Sequence, residues 1–291
     1  SGYKTNNAYH QKIETDKQSY NFGVLPLVNK IDKKANHSFI HLADTEIFNT
    51  ENHEDWIGNI KNYAATENAA FIMHTGDLCY ENGLREHIKL MNTENMDCPV
   101  FYGIGNHDLV KGDYGEQLYE SIYGPVFYSF DVGNVHYVMT PMLSGDYKPS
   151  YTKQDVYKWL KNDLALVEKG KSVIVFSHDL LTNTDQFKYG DETEYVNLND
   201  YNLKAWIYGH WHNNIVKKQG DVYTICTSTP DKEGIDHSAA NFRVIKVDGK
   251  GEIKSHLQYP KDDLGKTHKG GRKIEITVPI DRLPYFEKLN K

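Results

Sequence analysis

Short apolar runs separated by polar segments recur along most of the chain. Five of them have the length of a strand and are rich in β-branched or aromatic residues, at residues 39–43, 69–74, 99–104, 172–177 and 204–208. Residues 152–169 instead have helical periodicity, with Thr152 as a capping residue and Gly170 as a stop signal. The apolar face of this helix comprises Val156, Trp159, Leu160, Leu164 and Val167. Strands that alternate with helices predict an α/β fold.

The same patterns divide the chain into three parts. Residues 1–35 are polar and predict an N-terminal extension or the tail of a preceding domain. Residues 36–259 predict the main domain, which becomes rich in strands toward its end, at residues 222–227, 242–247 and 252–258. Residues 260–291 predict a charged, glycine-containing linker and the start of a further module, with a strand at residues 272–279.

Composition narrows the class of protein. The chain has 291 residues, of which 39% are hydrophobic and 25% charged, as is typical of a globular domain with a sizeable core. No apolar run approaches the ~20 residues that a membrane span requires, so no span is expected. The net charge of −7 argues against a nucleic-acid partner. Three cysteines are too few to indicate a disulfide framework.

Polar residues with metal-binding chemistry follow each of the five apolar runs. The runs end, in order, in Asp44, Gly76-Asp77, Gly105-Asn106-His107-Asp108, His178 and Gly209-His210-Trp211-His212. Ligand sites of open α/β sheets lie at the carboxyl ends of the strands, so these side chains are expected to converge. Carboxylates, imidazoles and an amide together suit iron, manganese or zinc. The sequence therefore predicts a metal centre at this edge of the sheet.

This ordered set of residues resembles the calcineurin-like metallophosphoesterases, over roughly residues 36–259. The resemblance implies an αββα fold, in which a two-sheet β-sandwich is flanked by helices. It also implies hydrolysis of phosphate mono- or diesters by two metal ions, iron, manganese or zinc, through a metal-bridging hydroxide. A small phosphoester is then the expected substrate.

The resemblance also assigns roles to individual residues. Asp77 would bridge the two metals. One site would be completed by Asn106, His178 and His210, and the other would contain Asp44 and His212. His107 would act as general acid or stabilise the leaving oxygen. Asp108 would orient His107.

One position departs from the family pattern. The usual first motif has a histidine two residues after the aspartate, and here that position is Glu46. Glu46 can itself supply an oxygen ligand. Alternatively, Tyr80 completes the site, since Gly76-Asp77-x-x-Tyr80 resembles the purple acid phosphatase branch, in which this tyrosine binds a ferric ion. The second alternative implies an Fe(III)/M(II) pair, because only a strong Lewis acid would deprotonate a tyrosine at neutral pH.

Two other functions are compatible with the sequence. A phosphodiesterase or nuclease is one, although the acidic net charge argues against a polynucleotide substrate. A binding scaffold that keeps the fold and has lost a metal is the other, and Glu46 in place of histidine supports it. The start at Ser1-Gly2 resembles a cloning remnant, and together with the similarity to secreted phosphatases it suggests an extracytoplasmic location. The sequence does not predict the oligomeric state.

Overall fold

The computed structural model describes residues 36–259. The predicted N-terminal extension (1–35) and the predicted linker and further module (260–291) lie outside the described residues, as does the strand predicted at 272–279. None of the helices in the described part is long and apolar enough to cross a membrane.

Thirteen strands and five α-helices make up the described part of the chain. The strands are β1 (His37–Leu42), β2 (Phe71–His74), β3 (Val100–Tyr102), β4 (Tyr128–Val132), β5 (Val135–Met139), β6 (Ser172–Phe176), β7 (Lys188–Gly190), β8 (Tyr195–Asn197), β9 (Leu203–Tyr208), β10 (Ile215–Gln219), β11 (Val222–Cys226), β12 (Phe242–Val247) and β13 (Ile253–Gln258). The helices are α1 (Glu54–Thr66), α2 (Tyr80–Leu90), α3 (Thr93–Met96), α4 (Gln117–Tyr123) and α5 (Lys153–Ala165), and a 3₁₀ turn spans Leu198–Tyr201.

Two large mixed sheets dominate the fold. The first has the order β13-β12-β1-β2-β3, with β1, β2 and β3 parallel to one another. The second has the order β10-β11-β9-β6-β5-β4, with β5, β6, β9 and β11 parallel. Strands β7 and β8 form a small separate hairpin. Each parallel set brings the carboxyl ends of its strands to one edge of its sheet.

Alternation along the central strands creates three apolar layers. In β1, Phe39 packs between the sheets, whereas Ile40 packs against the helices outside the first sheet. In β6, Ile174 points between the sheets and Val175 points to the outer side of the second sheet, which α5 covers. Because successive strand residues face opposite sides, a strand buried on both faces has a continuous apolar sequence. These layers form an αββα sandwich, so the predicted fold is confirmed.

Helix α5 begins where the sequence predicts and ends earlier. Thr152 and Asp155 form a capping box, since the Thr152 side chain accepts from the Asp155 N–H and the Asp155 carboxylate accepts from the Thr152 N–H. The helix stops at Ala165, so the prediction that it continues to residue 169 is wrong at its C-terminal end. Beyond it, Leu166 is exposed, and Gly170 has a φ of +87°. The helix therefore ends about one helical turn before its glycine, although Val167 still packs against the core of the second sheet.

An ion cluster away from the carboxyl ends of the parallel strands links β4, β5 and α5. His136 lies opposite Asp131 in the β4–β5 pair, with Nδ1 2.9 Å from the Asp131 carboxylate, and its Nε2 lies 2.8 Å from Oδ2 of Asp163 on α5. Burial alone would lower the pKa of His136, but the two carboxylates outweigh it and raise the pKa to about 9. The imidazolium is therefore the form that the folded protein stabilises.

The raised pKa of His136 predicts a loss of stability at alkaline pH. Because the folded pKa exceeds the ordinary value of 6.5, the contribution is complete below pH 6.5 and is lost as the pH rises through about 9. We expect this contribution to be about 2 kcal/mol, and absent from His136→Gln. Urea unfolding of both proteins at pH 6 and pH 9.5 measures it. Equal pH dependence of the two proteins would contradict the prediction.

Candidate metal centre

Backbone hydrogen bonds fasten the loops that follow the strands to one another. The Asp44 N–H donates to the Gly76 carbonyl at 3.0 Å, and the Glu46 N–H donates to the Asp77 carbonyl at 3.1 Å. These bonds join the loops after β1 and β2. In the second sheet the Gly209 N–H donates to the His178 carbonyl at 3.0 Å, which joins the loops after β6 and β9. The polar residues at the strand ends thus sit on a connected frame.

Left-handed backbone is concentrated in these loops. Seven non-glycine residues with positive φ lie there: Asp44, Glu46, Asp77, Cys79, Tyr80, His210 and His212. Such conformations are unfavourable for residues with a Cβ, and clusters of them are typical of functional sites. The loop bonds described above hold the backbone in this arrangement. The predicted ligand positions are therefore among the most constrained in the described part of the chain.

Gly105 allows the loop after β3 to approach Asp77 closely. A Cβ at this position would lie 2.2 Å from Asp77 Oδ1 and 2.4 Å from the Asp77 backbone nitrogen. Neither atom can move away without disturbing the frame, so only glycine fits. The close approach brings Asn106, the next residue, beside the Asp77 carboxylate.

The first group of potential ligands comprises Asp77, His178 and His210. One ligand atom from each lies within 4.8 Å of the others. The Nδ1 of His178 donates to the carbonyl of Thr75 at 3.0 Å, which turns Nε2 toward the site. That Nε2 lies 3.2 Å from Asp77 Oδ2 and 3.1 Å from Asn106 Oδ1. The structure therefore brings together all four residues predicted for one metal.

The second group comprises Asp44, Asp77 and His212, so it shares Asp77 with the first. Oδ1 of Asp44 lies 3.7 Å from His212 Nε2. Both Asp44 oxygens accept from the His210 N–H, at 3.0 and 2.9 Å, and this bond fixes the carboxylate against the loop after β9. The two groups, each a triad of potential ligands, therefore lie side by side, and Asp77 belongs to both.

The electrostatics of the site favour bound cations. Asp44 is fully buried, and burial raises its pKa well above the ordinary range, with the nearby Asp77 and Glu46 carboxylates adding to the effect. Burial would lower the pKa of His178, but the carboxylates of Asp77 and Asp44 raise it to about 9. A buried set of carboxylates that attracts protons in this way is a set that metal cations can satisfy instead. The donor set thus fits the metals that the sequence predicts.

The site opens to solvent on the side of the loop after β9. His210 and His212 are partly exposed, whereas Asp44, Asp77 and His178 are buried. A ligand can therefore approach from the histidine side. Trp211 stands between these histidines, and its indole N–H donates to Asp179 Oδ1 at 2.8 Å, so it anchors the loop.

Comparison with known proteins identifies the family of this chain. The family model described as calcineurin-like phosphoesterase matches residues 37–214, well over half of the chain. The chain belongs to the calcineurin-like phosphoesterase family. Purple acid phosphatase 21 from Arabidopsis thaliana is 37% identical over 68 residues, which cover 23% of this chain and 15% of that protein.

Several solved structures share the fold. A purple acid phosphatase from yellow lupin aligns with a TM-score of 0.57 and 14% identity, over 80% of this chain and 53% of that one. GAP50, the anchor in the inner membrane complex of Plasmodium, aligns with a TM-score of 0.53 and 18% identity, over 88% of this chain and 95% of that one. A dimetal phosphatase from Danio rerio aligns with a TM-score of 0.51 and 13% identity, over 75% of this chain and 98% of that one. The chain spans about half of the lupin enzyme and a smaller share of the Arabidopsis one.

Glu46, the departure from the family pattern, lies at the second triad. Its Oε1 is 3.5 Å from His212 Nε2, and it forms a third group of potential ligands with Asp77 and Cys79. Its Oε2 lies 2.5 Å from the ammonium of Lys232, a residue that the sequence did not single out. Burial raises the pKa of Cys79, which disfavours the thiolate that a metal requires. Glu46 is therefore close enough to serve the second site, with Lys232 as its counter-ion.

Tyr80, the other candidate for the second site, lies at the outer edge. Its side chain is 42% exposed, and its ring packs against Phe48 and His107, with centroid separations of 6.0 and 5.3 Å. Burial and nearby acidic groups, among them Asp146, raise its pKa. The ferric-tyrosinate assignment stays a prediction.

The expected contact between Asp108 and His107 is wrong. The Asp108 carboxylate accepts from three backbone N–H groups, those of Asp77 at 2.8 Å and of Gly105 and Cys79 at 2.9 Å each. Three short bonds to two loops hold it inside the frame, and burial together with Asp77 raises its pKa to about 6. Asp108 therefore fixes the loop backbone and leaves the His107 ring to another partner.

The partner of His107 is Asp146. Nδ1 of His107 lies 2.8 Å from Asp146 Oδ2, and this contact raises the pKa of His107 against the opposing effect of burial. The loop that carries Asp146 is pressed onto the loop after β3, since the Asp146 N–H donates to the Asn106 carbonyl at 3.0 Å. Gly145-Asp146 repeats the Gly-Asp pair of Gly76-Asp77 in the loop that follows β5, and this repetition was the available signal that Asp146 belongs to the site.

Proposed function

We propose that the protein is a metal-dependent phosphoric ester hydrolase that uses a dinuclear centre to cleave small phosphate mono- or diesters. The observation that carries the proposal is the pair of ligand triads with Asp77 in common. Family membership supports the reaction class. One metal would be held by Asp77, Asn106, His178 and His210. The other would be held by Asp77, Asp44 and His212, with Glu46 or Tyr80 completing it.

The residues around the centre would have different roles in the reaction. Bound cations would supply Lewis acidity toward the phosphoryl group and increase the acidity of the attacking water. His107, partly exposed and beside the triads, would donate a proton to the leaving oxygen from Nε2. Asp146 holds Nδ1 at 2.8 Å and so keeps that proton on the side of the substrate. Asp108 keeps the backbone of the two loops rigid beneath both groups.

Metal analysis combined with turnover tests the proposal. Protein loaded with iron, manganese or zinc is expected to contain two metal ions per chain by elemental analysis. It is also expected to hydrolyse p-nitrophenyl phosphate or bis-p-nitrophenyl phosphate, and the faster of the two indicates whether monoesters or diesters are preferred. Two bound metals without turnover of either ester would overturn the enzymatic assignment.

The iron-loaded protein also distinguishes Tyr80 from Glu46. If Tyr80 binds a ferric ion, the protein is expected to be violet or pink, and Tyr80→Phe is expected to remove the colour. If Glu46 completes the second site, the protein is colourless, and Glu46→Ala is expected to reduce the metal content toward one ion per chain. Lys232, whose ammonium faces Glu46, would then also influence how readily that site loads.

A binding scaffold that has lost one metal is the second candidate. The Glu46–Lys232 ion pair supports it, because a lysine ammonium there supplies a positive charge beside the second triad without a metal. GAP50, a structural neighbour, is described as an anchor, although the resemblance is one of fold. Fewer than one metal per chain and no turnover with any of the three metals would favour the scaffold.

A further inference from the structure

Most of the exposed large apolar side chains lie in the segments that follow the strands of the site edge. Nine such residues occur in the described part of the chain, and six of them follow strands whose carboxyl ends form the site edge: Phe48, Tyr80, Tyr114, Tyr147, Trp211 and Ile235. The other three are Leu166, Tyr195 and Tyr259. Exposed apolar side chains scattered singly are ordinary on protein surfaces, but a collection around a polar site indicates ligand contact.

Phe48 and Tyr80 form the part of this rim that is nearest to the proposed proton donor. Their rings are stacked, with centroids 6.0 Å apart and planes 19° from parallel. The Tyr80 ring in turn lies 5.3 Å from the His107 ring. Phe48 is 61% exposed and Tyr80 is 42% exposed, so a substantial part of this aromatic surface faces solvent. The pair therefore extends outward from His107.

The backbone holds the stacked pair in register with the site. The Tyr80 N–H donates to the carbonyl of His107 at 3.0 Å, so the two residues cannot separate without breaking the frame. Phe48 lies two residues beyond Glu46, whose N–H is bound to the Asp77 carbonyl. Rings placed by such bonds are already oriented before a ligand arrives, which lowers the entropic cost of stacking.

We propose that Phe48 and Tyr80 form a leaving-group subsite that selects phosphate esters with an aromatic ring on the alcohol side. The inference rests on the function proposed above, because it uses the position of His107 beside the leaving oxygen. It also takes Glu46, rather than Tyr80, as the residue that completes the second site, which leaves the Tyr80 ring available to the substrate. A substrate whose phosphoryl group lies at the triads and whose leaving oxygen lies at His107 extends past Tyr80. An aromatic ring at that point can stack on the exposed rings, whereas a polar sugar or glycerol group would lose hydration against the Phe48 ring, which offers it no hydrogen bond.

Two esters with the same carbon count test the subsite. Benzyl phosphate and cyclohexylmethyl phosphate both release a primary alcohol with seven carbons, so they differ in the planarity and π-system of the ring. We expect wild-type kcat/KM to favour benzyl phosphate by about fivefold, which corresponds to the ~1 kcal/mol of an aromatic pair. Phe48→Ala and Tyr80→Ala are expected to bring this ratio close to one, and Tyr80→Phe to preserve it. Tyr195→Ala, a change of an equally exposed tyrosine in β8, is the matched control.

Binding supplies a readout that is independent of turnover. Calorimetry with metal-loaded protein should give a tighter Kd for benzylphosphonate than for cyclohexylmethylphosphonate, with the difference lost in Phe48→Ala. If wild type cleaves both esters equally and Phe48→Ala leaves the ratio unchanged, the subsite is refuted while the hydrolase assignment stands. If wild type contains two metals but binds and cleaves none of these compounds, and also fails to turn over p-nitrophenyl phosphate and bis-p-nitrophenyl phosphate, the proposed function fails and the subsite fails with it.

Discussion

Asp77→Asn is expected to reduce phosphoesterase kcat/KM by about a thousandfold or more and to lower the metal content of the purified protein below two ions per chain. The reason is that the Asp77 carboxylate belongs to both ligand triads, so one substitution weakens both proposed sites. An asparagine keeps an oxygen that can accept from the His107 N–H, as Asp77 Oδ1 does at 3.0 Å. The change therefore removes the charge while preserving the contact that places the loop after β3. Turnover of p-nitrophenyl phosphate and elemental analysis measure the two effects.

Asp131→Asn is the appropriate control for this substitution. It removes a carboxylate of the His136 cluster on β4, at the end of the sheet opposite the candidate centre, and is expected to keep two metals and most of the activity. Retention of two metals together with more than a tenth of wild-type activity in Asp77→Asn would show that Asp77 does not bridge the centre.

Strand positions are readable from the sequence because burial on both faces leaves a continuous apolar run. The run at 172–177 coincides with β6, and 242–247 coincides with β12, since each is covered on both sides. Edge elements are harder to recognise. Strand β10 has an apolar start and a charged end, as expected for a strand with a solvated edge, and the sequence did not predict it.

Helix α5 illustrates where periodicity misleads. Val167 continues the apolar spacing and is partly buried, but the chain has already left the helix at Leu166, which is exposed. A residue can pack against the core from a turn as well as from a helix. Spacing alone therefore extends the helix by about one turn.

The residues of the two proposed ligand groups could be singled out from the sequence because each follows a strand, whereas contacts between loops could not. His107 and Asp146 are 39 residues apart, and Glu46 and Lys232 are 186 residues apart. Nothing local to Asp146 or Lys232 indicates which loop it will touch. The prediction that Asp108 orients His107 failed for a related reason. Three backbone N–H groups of the neighbouring loops bind the Asp108 carboxylate, so it does not bind the adjacent His107 ring.

The second large effect concerns His107 and depends on the leaving group. His107→Asn is expected to reduce kcat for benzyl phosphate by about a hundredfold to a thousandfold, because an alkoxide leaving group requires a proton. The loss for p-nitrophenyl phosphate should be about tenfold or less, since p-nitrophenolate departs without one. A purely structural role for His107 would reduce both rates equally, so the ratio of the two losses is the decisive measurement.

Asp146→Asn extends the same test to the residue that holds the ring. In the wild type, Nδ1 of His107 lies 2.8 Å from Asp146 Oδ2. The asparagine keeps an oxygen that can accept from this nitrogen, but it removes the charge that favours the protonated imidazole. We expect a smaller, roughly tenfold loss with benzyl phosphate and a KM that changes little, because Asp146 acts through His107 rather than on the phosphate. In His107→Asn, adding Asp146→Asn should cause no further loss, since the carboxylate then has no imidazole to orient. Additive losses in the double variant would mean that Asp146 and His107 work independently, and that the loop after β5 contributes to the site in some other way.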